Sequence, residues 1–132
     1  MTRSAGIIMT LLCPLVASHS MHPQAPAAIV LYSNVEYNEE TGDLLGFEIE
    51  LHSEGASADG VLRTYQGGCG QVTPVQGNFE HTRAHLEGTN ATFGKVVIDG
   101  MLHDDDLNAT VRFEEAPKAE TVRLKKIAKA HC

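Results

Sequence analysis

Along residues 42–51 the chain runs Gly-Asp-Leu-Leu-Gly-Phe-Glu-Ile-Glu-Leu, with apolar and acidic side chains alternating behind a turn signal. Leu45, Phe47, Ile49 and Leu51 share one parity, and Gly46, Glu48 and Glu50 share the other. That two-residue period belongs to a strand with one dry face and one wet face. Glu48 and Glu50 are also the kind of carboxylate pair that glycoside hydrolysis uses, but on an outward sheet face they serve as ordinary solubilising charges.

The same period recurs on both sides of this segment. Residues 29–37 form a strand with Ile29, Leu31, Val35 and Tyr37 on one parity, and residues 38–43 make the hairpin loop that follows it. Residues 53–60 are a polar turn. Residues 61–66 form a short strand whose buried face the pattern leaves open, and Gly67, Gly68 and Gly70 break it. Pro74 inside residues 71–79 makes that segment an edge strand or a bulged one, because proline cannot donate to a ladder. Residues 81–86 alternate and stop at Gly88-Thr89-Asn90; residues 93–102 and 104–113 follow as a hairpin. In residues 119–127, Val122 and Leu124 alternate with Arg123 and Lys125, which favours a strand over the helix that Pro117 and the Ala and Lys content would also suit. The fold class is therefore all-β: a single antiparallel meander of about eight strands, closed into a small barrel that leaves no exposed edge.

Length divides the chain further. Arg3, the apolar run over residues 5–17 and the small residues Ser18 and Ser20 make residues 1–20 a signal peptide. Residues 21–28, with Pro23 and Pro26, form a tether, and residues 29–132 form the barrel domain. The apolar run is too short to span a bilayer comfortably, so no stable membrane span remains once the leader is removed. Localisation is then exported, either periplasmic or extracellular. In that oxidising setting the two cysteines outside the leader, Cys69 and Cys132, should pair in a disulfide.

Charge changes the picture again. Over residues 36–115 there are sixteen acidic residues against Arg63, Arg83, Lys95 and Arg112, whereas from Pro117 onward five basic residues face only Glu120. The acidic body excludes nucleic acid as a partner, since phosphate contact needs a basic surface. The basic end suits a solvated strand edge guarded by lysine.

The spacing of Gly42-Asp43 with Gly46 and Glu48, of residues 70–79, of Gly100 and Leu102 before Phe113, and of Val122, Leu124 and Lys125 resembles a group of small exported bacterial β-barrel proteins. These are lipocalin-like in shape and mostly of unknown function, and the resemblance covers residues 29–127. True lipocalins carry a Gly-x-Trp near the first strand. This chain has no Trp, so no binding residues are carried over.

Candidate chemistry is sparse. Asp104, Asp106 and Asn108 sit at alternating positions, with Glu115 where a calcium loop has its last carboxylate. Ala109 stands where the sharp turn of such a loop needs Gly, and the flanking β-branched residues do not favour helix. A hairpin tip with clustered charge follows, able at most to hold calcium weakly. His81 and His85 would share a metal on a helix, but along a strand they are ~13 Å apart. The serines lack a nucleophile-elbow pattern, and no Gly-rich loop precedes a helix, so neither catalytic residues nor a cofactor are assigned and the chain is not expected to be an enzyme. Asn90-Ala91-Thr92 and Asn108-Ala109-Thr110 fit glycosylation acceptors in a eukaryotic secretory route.

Two function classes follow. The first is a binding module whose barrel holds a small apolar ligand. The second is an inhibitor or interaction protein that presents a loop, such as residues 67–74 or 103–108, to a protein partner. A hollow interior favours the first and a filled interior the second.

Overall fold

The computed structural model describes residues 28–132; the signal peptide expected over residues 1–20 and the tether expected over 21–28, apart from Ala28, lie outside the described residues. The described chain consists of strands β1 (Ala28–Ser33), β2 (Glu36–Asn38), β3 (Asp43–Glu54), β4 (Ser57–Gly67), β5 (Gln71–Glu80), β6 (Arg83–Asn90), β7 (Gly94–His103), β8 (Asp106–Phe113) and β9 (Glu120–Ile127). Each strand from β3 to β9 pairs antiparallel with the next, and β1 lies between β9 and β3, which closes the sheet. β1 and β2 both pair with β3 and are two halves of the one strand expected over residues 29–37. Their break has a local cause. The Asn34 side-chain oxygen accepts the Phe47 amide at 2.7 Å, and Gly46 takes a φ of 134°, where a Cβ would run into Asn34 and Val35.

Closure corrects several local expectations. The polar stretch 53–60 is not a turn but the ends of β3 and β4 around a two-residue turn at Gly55 and Ala56, with Ser53 opposite Ala58. β5 is an interior strand, not an edge. Pro74 is tolerated because the ladder to β6 begins one residue later, at Val75 opposite Gly88. Gly88, Thr89 and Asn90 extend β6 instead of ending it. β9 pairs on both sides, so its lysines guard no edge. The strand assignment for that segment holds, as does the hairpin of β7 and β8.

The inward parity carries the core. Ile49, Leu62, Leu86, Val96, Ile98, Val111 and Leu124 are all 0% exposed, and Phe47 and Phe113 stack near one end with ring centroids 6.4 Å apart. Removing each of these side chains from water contributes roughly 1.5–3 kcal/mol, which is how a chain with few aromatic residues builds a core. Leu45 departs from its expected dry parity and is 51% exposed, because it lies near the start of β3, where the barrel opens.

The two ends of the barrel differ. One end has three two-residue hairpins, at residues 55–56, 81–82 and 104–105. The first residue of each has positive φ, and His81 and Asp104 adopt it without being glycine. The other end carries the longer connections, including the loop between β4 and β5 that holds Cys69.

Candidate functional site

Cys69 and Cys132 form a disulfide with their Cα atoms 5.8 Å apart. Its consequence for the fold is large. β9 ends at Ile127 opposite Leu31 of β1, yet Cys132 must reach the end of β4. Residues 128–132 therefore cross the outer wall of β1, β3 and β4. Three interstrand steps make ~14 Å, a span that five residues can cover, with bends at Ala128 and Lys129 where the chain leaves β9. The segment forms a strap over the seam where the barrel closes.

Beneath the strap lies a polar cluster on the outward parity. Glu48 is 0% exposed, which overturns its assignment to the wet face. Its carboxylate accepts the His131 ring Nδ1 at 2.7 Å and the His131 backbone amide at 3.3 Å. Ser33 Oγ donates to it from β1 at 3.3 Å, and Arg63 of β4, its register partner, approaches to 3.9 Å. Arg63 also donates to Glu50 at 2.9 Å, and His52 meets the same carboxylate at 3.2 Å. The hydrogen bond from Arg63, followed by that from His52, lowers the Glu50 pKa. A buried carboxylate persists only with such partners, and the strap supplies two of them.

Tyr65 completes the cluster. It is 2% exposed on the outer face and meets the His131 ring edge-on, with centroids 6.2 Å apart. Burial, and next the Glu48 charge, raise its phenol pKa. Tyr65 OH and Arg63 Nη1 are buried without a hydrogen-bond partner among the described residues. Ser33, Glu48 and His131 are not a nucleophilic triad, because both Ser33 and His131 bond to Glu48, whereas a triad places the histidine between the other two.

The other residues singled out in the sequence are scattered. Asp104 is at the tip of the β7–β8 hairpin, Asp106 is taken by Arg123 with Nε–Oδ2 at 2.7 Å, and Asn108 faces outward from β8. Both flanks are strands, which excludes a helix-flanked calcium loop. Among the described residues no group of three or more His, Cys, Asp or Glu is placed to hold a metal ion. His81 is a turn residue, whereas His85 stands on β6 between Asp99 at 2.5 Å and Glu87 at 3.3 Å. The hydrogen bond to Asp99 is the main reason its pKa is raised. Asn90 is 3% exposed; its amide donates to Thr73 and its oxygen accepts the Thr92 and Phe93 amides. Attaching a glycan there would break this turn, while Asn108 is exposed.

Sequence reasoning missed the role of His131 and Tyr65. A signal was present: a Cys132–Cys69 bridge obliges the last residues to lie on the barrel wall, with His131 one residue from the anchor. Compared with family models, curated proteins and solved structures, the chain matches none.

Proposed function

We propose that this chain is an exported, non-enzymatic interaction protein that presents the disulfide-bearing end of a filled β-barrel to a protein partner. The observation that supports this reading is the state of the interior. Seven core side chains from β3, β4 and β6–β9 have zero exposure, and a void large enough for water against them would register as exposed surface. An apolar ligand therefore has no room among them, and the accessible surface is external. The open grooves are lined by outer-face residues such as Arg83, His85, Asp99 and Met101, or His52, Glu54, Asp59 and Glu87.

Three of the exposed large apolar residues lie toward the disulfide end, one each on β2, β3 and β5. Tyr37 is 62% exposed, Leu45 51% and Val72 60%. A rigid rim carrying apolar anchors beside a glycine loop suits protein recognition better than catalysis. A disulfide and an acidic body fit an exported protein, in the periplasm or outside the cell.

Native mass spectrometry of the protein purified from its own host provides the test. A co-purifying protein that is lost in Val72→Asp, with the melting temperature held within about 2 °C of wild type, supports the reading. A stoichiometric small molecule retained in the absence of any protein partner overturns it in favour of a ligand-binding barrel.

A further inference from the structure

We propose that residues 128–132 are a redox latch: thiol–disulfide exchange with a protein dithiol at Cys69–Cys132 releases the strap and uncovers the Glu48, Ser33, Arg63 and Tyr65 cluster while the barrel stays closed.

Three observations carry this. First, the bridge is accessible. Cys69 and Cys132 are both exposed, and the space beside the neighbouring Gly68 is open, since a Cβ added there would have nothing within 4 Å. Second, the strap is weakly held apart from the bridge. The β1–β9 ladder ends at Leu31 opposite Ile127, and beyond it the polar contacts with the wall come from His131, with two hydrogen bonds to Glu48, and from the Cys132 backbone beside the Tyr65 phenol. Third, the wall beneath is complete without the strap. β1 pairs with β3 over six residue pairs and β3 with β4 over eleven, and none of these pairs involves residues 128–132. The bridge therefore locks a cover and does not itself close the sheet.

The chemistry balances with a dithiol reductant. Its thiolate attacks the Cys69 sulfur, forming a mixed disulfide there and expelling Cys132 as a thiolate that takes a proton from water. The reductant's second thiol, deprotonated, then displaces Cys69. The reductant leaves as a disulfide, and the chain gains two electrons and two protons as two thiols. With the tether cut, water competes for the Glu48 carboxylate, and a charge that was buried at no exposure becomes a surface group. The Tyr65 phenol loses its cover and returns toward its ordinary pKa.

The test uses the full chain, oxidised and then treated with dithiothreitol or with a thioredoxin-type protein dithiol. Alkylation counts the thiols, and hydrogen exchange follows residues 128–132 separately from the β1, β3 and β4 ladders. The expected result is two labelled thiols and exchange at the His131 amide at least ~10-fold faster. Ladder amides should stay at least ~100-fold slower than in an unfolded chain. One phenol should titrate at lower pH than before, a change absent in Tyr65→Phe. Cys132→Ser should show the released state without reductant. Continued protection of His131 after reduction would overturn the proposal. So would collapse of ladder protection along with the strap, which makes the bridge a staple of the whole fold, or a bridge that yields only in denaturant. The readout is the strap itself, so either result leaves the proposed partner binding to be judged separately.

Discussion

Two outer walls of this barrel use the same residue types and reach opposite states. On β3 and β4, Glu48 sits with Arg63 and His131 and is fully buried. On β6 and β7, Glu87 sits with Lys95 and His85, and these side chains are roughly half exposed. Both glutamates stand on the outward parity of an alternating strand, and neither is set apart by its neighbours in sequence. The difference is a cover. Five residues of strap turn one wall into a low-dielectric site where each hydrogen bond matters. The other wall remains in water, where such pairs contribute little.

Removing the cover should have the largest effect. In the chain-entropy account, a bridge with the separation of Cys69 and Cys132, 63 residues, contributes about 4 kcal/mol. The Cys69→Ser/Cys132→Ser double variant should lose up to that amount in urea unfolding while keeping an all-β circular dichroism spectrum. A loss below about 1 kcal/mol would mean that the unfolded chain gains little from being cut.

The next test compares the two walls directly. Glu48→Ala leaves Ser33 and the strap's His131 without their acceptor and should cost about 3 kcal/mol, whereas Glu87→Ala should stay within about 0.5 kcal/mol. Equal costs for the two variants would mean that the strap does not set the two walls apart.

The smallest effect is a pH dependence on the open wall. The Asp99 hydrogen bond raises the folded-state pKa of His85 above its unfolded value. The associated stability is present in full below about pH 6.5 and is lost as pH rises through the folded value. Because the pair is exposed, the change should be under about 1 kcal/mol and should shrink with added salt. Asp99→Asn should flatten it. The sign reverses for Glu50, whose pKa is lowered by Arg63 and His52; its contribution is present above the unfolded carboxylate value and is lost as pH falls through the folded one.

Much of the barrel is legible in the sequence because its cause is local. Period-two alternation in residues such as Phe47, Ile49 and Leu51, or Leu107, Ala109, Val111 and Phe113, needs only one dry side to form a strand. Counting cysteines outside the expected leader leaves one pair, and Cys69 and Cys132 do form a bridge. Parity assigns a residue to a face, but it does not say what lies over that face. Glu48 and Glu50 have the same pattern, yet Glu48 lies beneath His131, eighty-three residues away in sequence. Pro74 looked like an edge signal because a ladder's extent depends on the neighbouring strand, not on the proline.

Alternation, turn residues and cysteine count determined by themselves that this chain makes an all-β barrel with Cys69 bridged to Cys132, since each acts over a few residues or follows from pairing chemistry. Tertiary structure alone decided which outward carboxylate is buried, that core side chains such as Ile49, Leu62 and Ile98 have no exposure, and that residues 128–132 are a strap. Those properties depend on chain segments meeting across the closed sheet, and no local period encodes which segments meet.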